Sequence, residues 1–248
     1  MSPAAPRQRR AALVPRRLAS LVRLALVEKV PRDHLQPDAA FRRRRVVAAV
    51  VLLAGTVLLG VSLSVRPGDQ AFYPLTFALA AVWVIGGFAS GPLHLGRIAV
   101  GGRLRRPVVT PVGVGLAFVA VFTLGALVVR EIGPLADYTE NVLAHARSGS
   151  LPLLVVITAL NGISEEVFFR GALYAAIGVR HPVLISTLVY AVATVATGNP
   201  MLVFAALTLG AVLGLQRRAS GGLLAPILTH VTWSVGMLLI LPPLFAGR

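Results

Sequence analysis

Apolar residues along this chain come in long unbroken runs, not in strand-like alternation or a one-sided helical stripe. Seven runs predict helices at about 46–65, 71–90, 110–130, 150–178, 182–198, 200–216 and 222–242. A helix that crosses a bilayer needs about 20 apolar residues, and five of the runs reach that length. The fifth and sixth are shorter and meet at the turn signal Thr197-Gly198-Asn199-Pro200. They read either as full crossings or as re-entrant segments. The pattern predicts an all-α fold, a polytopic transmembrane helix bundle of about seven spans. No internal repeat of the kind used by inverted-repeat transporters stands out. Glycine pairs such as Gly86 and Gly87 suit close helix packing.

The polar residues fill the gaps between these runs. Only 13% of the 248 residues are charged, 56% are hydrophobic, and the mean hydropathy is +0.80. A soluble domain carries about 25% charged residues. There are no cysteines, which excludes disulfides, thiolate metal sites and a cysteine nucleophile. The net charge is +15, almost all from arginine, with Lys29 the only lysine. A basic balance can mark nucleic-acid binding, but here the charges fall between apolar runs and in an N-terminal arm. That is the distribution of a membrane protein, and no nucleic-acid partner is expected.

Three regions follow: a basic arm over 1–45, the first two spans and their loop over 46–105, and a core over 106–248. The arm holds twelve basic residues against Glu28, Asp33 and Asp38. Its stretch Leu13 to Val30 alternates apolar and basic residues near helical spacing. It reads as an amphipathic helix on an anionic lipid surface or as a disordered basic tail that sets topology. It does not resemble a cleaved signal peptide, because charges interrupt its apolar part. Arg42 to Arg45, the arginines of 97–106, Arg180 and Arg217-Arg218 all fall on one side of the predicted spans. That side is expected to be cytoplasmic, with the N-terminus inside and the C-terminus outside, in what is expected to be a bacterial plasma membrane.

One apolar run carries ionisable residues. Asn161 to Gly178 reads NGISEEVFFRGALYAAIG. Bringing an ionised group out of water costs several kcal/mol. Glu166 and Arg170 are four residues apart, share a helix face and can pair. Glu165 is rotated by about 100° and is left for another role. A charged cluster at the mouth of the helix, with no reaction, is the plain alternative. In later runs His230 and Ser234 share a face, as do Tyr190 and Thr194. A lone histidine in an apolar helix is either a hydrogen-bonded packing residue or a catalyst. The threonines 194 and 197 can bond back to their own helix.

Together these residues resemble the CPBP family (CAAX protease and bacteriocin-processing) of intramembrane endopeptidases. The first family motif is two glutamates, three residues, then arginine, and Glu165-Glu166-Val-Phe-Phe-Arg170 matches it, with Gly-Ala-Leu-Tyr following. The second motif is an aromatic residue, three others, then histidine. Tyr190 fills the first place, and Thr194 stands where histidine is expected. The third motif is histidine, three others, then asparagine or aspartate. His230 matches, and Ser234 replaces the amide or acid. The resemblance spans about residues 110 to 243.

The resemblance implies a helical membrane fold with a polar cavity open to the cytoplasm. It also implies hydrolysis of peptide bonds in a membrane-associated peptide or protein. Glu165 would be the general base. Glu166 would hold Arg170. His230 would bind the water and stabilise the oxyanion, with Tyr190, Thr194 and Ser234 in support. Zinc prefers three or more strong ligands. Only Glu165, Glu166 and His230 are available, and Glu166 is engaged by Arg170. His94 and His181 lie in loops that would have to fold inward. No tightly held zinc or other cofactor is therefore expected. Two other readings remain: a catalytically silent scaffold or adaptor that keeps the protease fold, and, less in keeping with the apolar outer halves of the spans, a small transporter.

Overall fold

A computed structural model describes residues 19–30 and 36–246. Six helices among them are long and apolar enough to cross a membrane. In chain order these are α1 (Asp38–Ser64), α2 (Phe72–Ala89), α3 (Val109–Val129), α5 (Leu151–Ile177), α7 (Pro200–Ser220) and α8 (Leu224–Leu244). A seventh, α6 (Pro182–Val195), is apolar but has only 14 residues. At 1.5 Å per residue that is about 21 Å, short of a hydrocarbon core of about 30 Å. The fold is thus the expected helical bundle. The sixth run, expected to be short, is a full helix extended to Ser220. The bilayer-facing surface is visible on α1, where Val46, Val50, Leu53 and Val57 form an exposed stripe. Apolar patches of that extent are not left in water. The chain is a multi-pass membrane protein.

Two elements differ from the expected loops. Residues between α2 and α3 form a hairpin, β1 (Ile98–Val100) against β2 (Arg103–Arg105), turning at Gly101-Gly102. Both glycines have positive φ, as a tight two-residue hairpin requires. The segment after α3 is an amphipathic helix, α4 (Gly133–Arg147), which buries Ala136 and Leu143. These two residues pack with Ala126 and Phe245, joining the ends of α3 and α8.

Helix α1 begins at Asp38, so Arg42 to Arg45 lie in its first turns and not in an arm before it. Arg44 is buried and donates to Gln36 Oε1, Ser90 Oγ and Pro92 O. The arginine-bearing segments meet at this end of the bundle. Val30 N–H donates to Ala219 O, and Leu223 and Leu224 N–H donate to His94 O and Leu95 O. Gly222 crosses Gly96 so closely that a Cβ on Gly222 would strike the Leu95–Gly96 backbone. Of the basic arm, residues 1–18 and 31–35 lie outside the described residues, among them the first six of the 13–30 stretch. The described part of the stretch is helical over 19–27 and ends in one wide turn, Arg23–Val27, which buries Ala25 and packs on α7.

Candidate active site

Helix α5 is regular from Leu151 to Glu166 and then widens into a π-helical stretch, Val167–Leu173. All seven residues of the wide stretch are buried. Such widened turns occur often at functional sites. Here the wide stretch is packed by aromatic rings on two sides. Phe168 stacks on Trp83 of α2 at 4.5 Å between ring centroids, and Phe169 lies 4.6 Å from the ring of Tyr190 of α6. These aromatics wedge α5 between two neighbours and set the height of Tyr190. Read along the sequence, the Val-Phe-Phe between the glutamates and Arg170 showed only as spacer.

The two glutamates face different partners, as a 100° rotation requires. Glu166 is fully enclosed, and its Oε1 accepts from Arg170 Nη1 at 2.9 Å and from His230 Nδ1 at 2.8 Å. Arg170, also fully enclosed, donates through Nη2 to Gly210 O, and its guanidinium lies 4.8 Å from the Tyr190 ring centre. Arg217 Nε donates to Arg170 O at 2.7 Å. One buried carboxylate thus ties α5 to α8, while its arginine ties α5 to α7.

Glu165 makes no ion pair among the described residues. Its Oε2 accepts from the Tyr190 hydroxyl at 2.6 Å, and the residue is partly exposed. His230, Glu166 and Arg170 are within electrostatic range of it. A carboxylate only accepts, so the Nδ1 of His230 carries the proton it gives to Glu166. In the neutral ring Nε2 then holds a lone pair and accepts. The donor role that the resemblance gave His230 toward an oxyanion is therefore not available to the neutral ring. The hydroxyls at the two departures from the motifs turn to their own helices. Thr194 Oγ1 donates to Tyr190 O at 2.8 Å, and Ser234 Oγ donates to Val231 O at 3.4 Å.

Among the described residues no group of three or more His, Cys, Asp or Glu side chains is arranged to hold a metal ion. Glu166 Oε1 is shared between Arg170 and His230, and the remaining carboxylate and imidazole groups are not gathered around one point. The donor set does not fit zinc. A cavity of about 1060 Å³ opens at the arginine end, walled in part by Arg44, Gly171, Tyr174 and Arg217. Neither Glu165 nor His230 lines it.

Residues 147–236 match the family model described as Rce1-like, Type II CAAX prenyl endopeptidase Rce1-like. Over that segment the chain is similar to the Rce1-like proteases of the CPBP family. The Rce1-like segment starts at the end of α4 and runs into α8, so it contains Glu165, Glu166, Arg170, Tyr190, Thr194, His230 and Ser234. The match and the motifs agree on a CAAX-type intramembrane protease fold. No curated protein and no solved structure matches the chain.

Proposed function

We propose that the chain is an intramembrane endopeptidase that hydrolyses peptide bonds of membrane-associated proteins or peptides by glutamate-activated water. The observation that carries this reading is the environment of Glu165. Among the described residues it is a carboxylate without an ion-pair partner, fixed through Oε2 by Tyr190, with no hydrogen bond to Oε1.

The step follows from the hydrogen-bond polarity. A water donates one proton toward Glu165 Oε1 and the other toward His230 Nε2, which leaves its lone pair for the substrate. The water oxygen attacks the carbonyl carbon as Glu165 takes the proton. The C=O π electrons move to oxygen. The C–N bond then breaks, and the proton held by Glu165 passes to the departing nitrogen. Glu166 keeps the imidazole in the tautomer that accepts. A membrane-associated segment is the substrate class because the pair sits within helices that span the bilayer. Anionic lipid is the partner for the basic arm.

The test is cleavage of single-span reporter proteins by the purified protein in lipid. Glu165→Gln and His230→Ala are each expected to lower the rate by about 100-fold or more. A chelator should leave the wild-type rate unchanged. Equal cleavage by wild type and both variants would overturn the reading. It would favour a silent scaffold, which the inward-turned hydroxyls of Thr194 and Ser234 support.

A further inference from the structure

The geometry points to Asn161 as a further catalytic residue, whose side-chain amide donates to the oxyanion of the tetrahedral intermediate. This rests on the hydrolytic reading of Glu165. Three observations carry it.

The first is a missing donor. The attack puts negative charge on the carbonyl oxygen, and stabilising that charge needs a hydrogen-bond donor aimed at it. In the site as built, Glu165 only accepts, His230 spends its Nδ1 proton on Glu166, and Tyr190 spends its hydroxyl on Glu165. The hydroxyls of Thr194 and Ser234 are spent on backbone carbonyls.

The second is position. Asn161 precedes Glu165 by four residues in the regular part of α5. The two therefore lie on one face, one turn apart, with Cβ atoms about 5–6 Å from each other. Helices α5 and α8 run in opposite directions here. Glu166 meets His230, and a methyl group placed on Gly162 would come within 3.5 Å of His230 Cδ2 and 3.6 Å of Ser234 Oγ. One turn back along α5 is thus one turn forward along α8. Asn161 stands at the level of Ser234, the place where the third motif has an amide or acid. The amide absent from α8 is supplied from the facing helix.

The third is the amide itself. Asn161 Oδ1 is buried without a hydrogen-bond partner, while the residue as a whole is partly exposed, like Glu165. No side-chain hydrogen bond of Asn161 exists among the described residues. Whichever way the amide is turned, one polar atom is enclosed and unpaired and the other is reachable. With Oδ1 enclosed, the reachable atom is Nδ2, whose N–H groups only donate, and the carbonyl oxygen of a substrate beside Glu165 is an acceptor for them.

The test is steady-state cleavage of a single-span reporter by wild type, Glu165→Gln, Asn161→Ala, Asn161→Leu, and Asn161→Ala combined with Ser234→Asn. Leucine keeps the shape and removes the donor, so it separates packing from chemistry. Both single Asn161 variants should lose kcat by about 100-fold, the loss on removing one oxyanion donor, with KM little changed. Ser234→Asn should restore a large part of the kcat lost in Asn161→Ala, because it returns an amide to the same level. Wild-type kcat in both Asn161 variants, beside an inactive Glu165→Gln, would overturn the assignment and leave the hydrolytic reading intact. So would a loss that appears only in KM, or one that Ser234→Asn does not relieve and that comes with a lowered Tm. Full activity of Glu165→Gln would instead remove the hydrolytic reading, and the assignment with it.

Discussion

Arg170 cannot be removed alone without leaving Glu166 charged and enclosed. Both side chains have zero exposure, and their pairing distance is 2.9 Å. Breaking a buried pair by deleting one partner costs about 3–5 kcal/mol, because the remaining charge is uncompensated. Arg170→Met is therefore expected to lower the Tm in detergent sharply. Arg170→Lys should recover little, since an ammonium cannot serve Glu166 and Gly210 O with the two arms of a planar fork. Glu166→Leu combined with Arg170→Met should return much of the stability, because no charge is stranded. The same double variant should stay inactive toward a reporter, because His230 has lost the acceptor that fixes its tautomer. A double variant as unstable as Arg170→Met would show that the pair matters for shape and not for charge balance. At this scale the pairing of Glu166 with Arg170 was legible from their spacing. The second hydrogen bond on Glu166, from His230 64 residues later, was not, because nothing local links α5 and α8.

The elements are held at their ends by specific bonds. Helix α7 starts at Asn199, whose Oδ1 accepts from Met201 and Leu202 N–H and whose Nδ2 donates to Tyr138 O of α4 at 2.6 Å. One side chain caps one helix and anchors another. Asn199→Ala should cost about 1 kcal/mol for the cap and about as much again for the lost bridge. Asn199→Asp keeps the cap acceptor and loses only the donor, so its Tm should fall between wild type and Asn199→Ala. Equal Tm values for Asn199→Asp and wild type would mean that the bridge to Tyr138 contributes nothing. The seven apolar runs located the helices within a few residues, except at the start of α1 and the end of α7. There charged residues hid the continuation, because Arg44 and Arg217 are buried through bonds to distant segments and not through their own hydropathy. The hairpin at Gly101-Gly102 carried a readable turn signal. Helix α4 was obscured by the charges on its exposed face.

For the whole molecule, the loops divide between two ends. The arginine-bearing segments gather around Arg44, Gly96 and Gly222. At the other end His145 bonds Val65 O at 2.9 Å, and α4 meets the start of α7. By the positive-inside rule the arginine end is expected to face the cytoplasm. The chain has no cysteine, so single introduced cysteines report this directly. In intact cells a membrane-impermeant maleimide should label Ser150→Cys at the start of α5. It should label Leu104→Cys in the hairpin only after lysis. The reverse labelling would invert the topology, and labelling of both in intact cells would rule out a simple two-sided arrangement.

Continuous apolar runs fix the class of fold because a bilayer leaves helices and closed barrels as the only spanning forms. Likewise, two glutamates and an arginine inside one run mark a candidate site because their burial must be compensated. These were local facts, readable without coordinates. Which partner each glutamate takes, which tautomer His230 holds, where the hydroxyls of Thr194 and Ser234 point and which level of α8 faces Asn161 depend on the packing of α5, α6 and α8. The sequence leaves the crossing and register of those helices open. The aromatic wedge of Trp83, Phe168 and Phe169 and the shared carboxylate of Glu166 decide them.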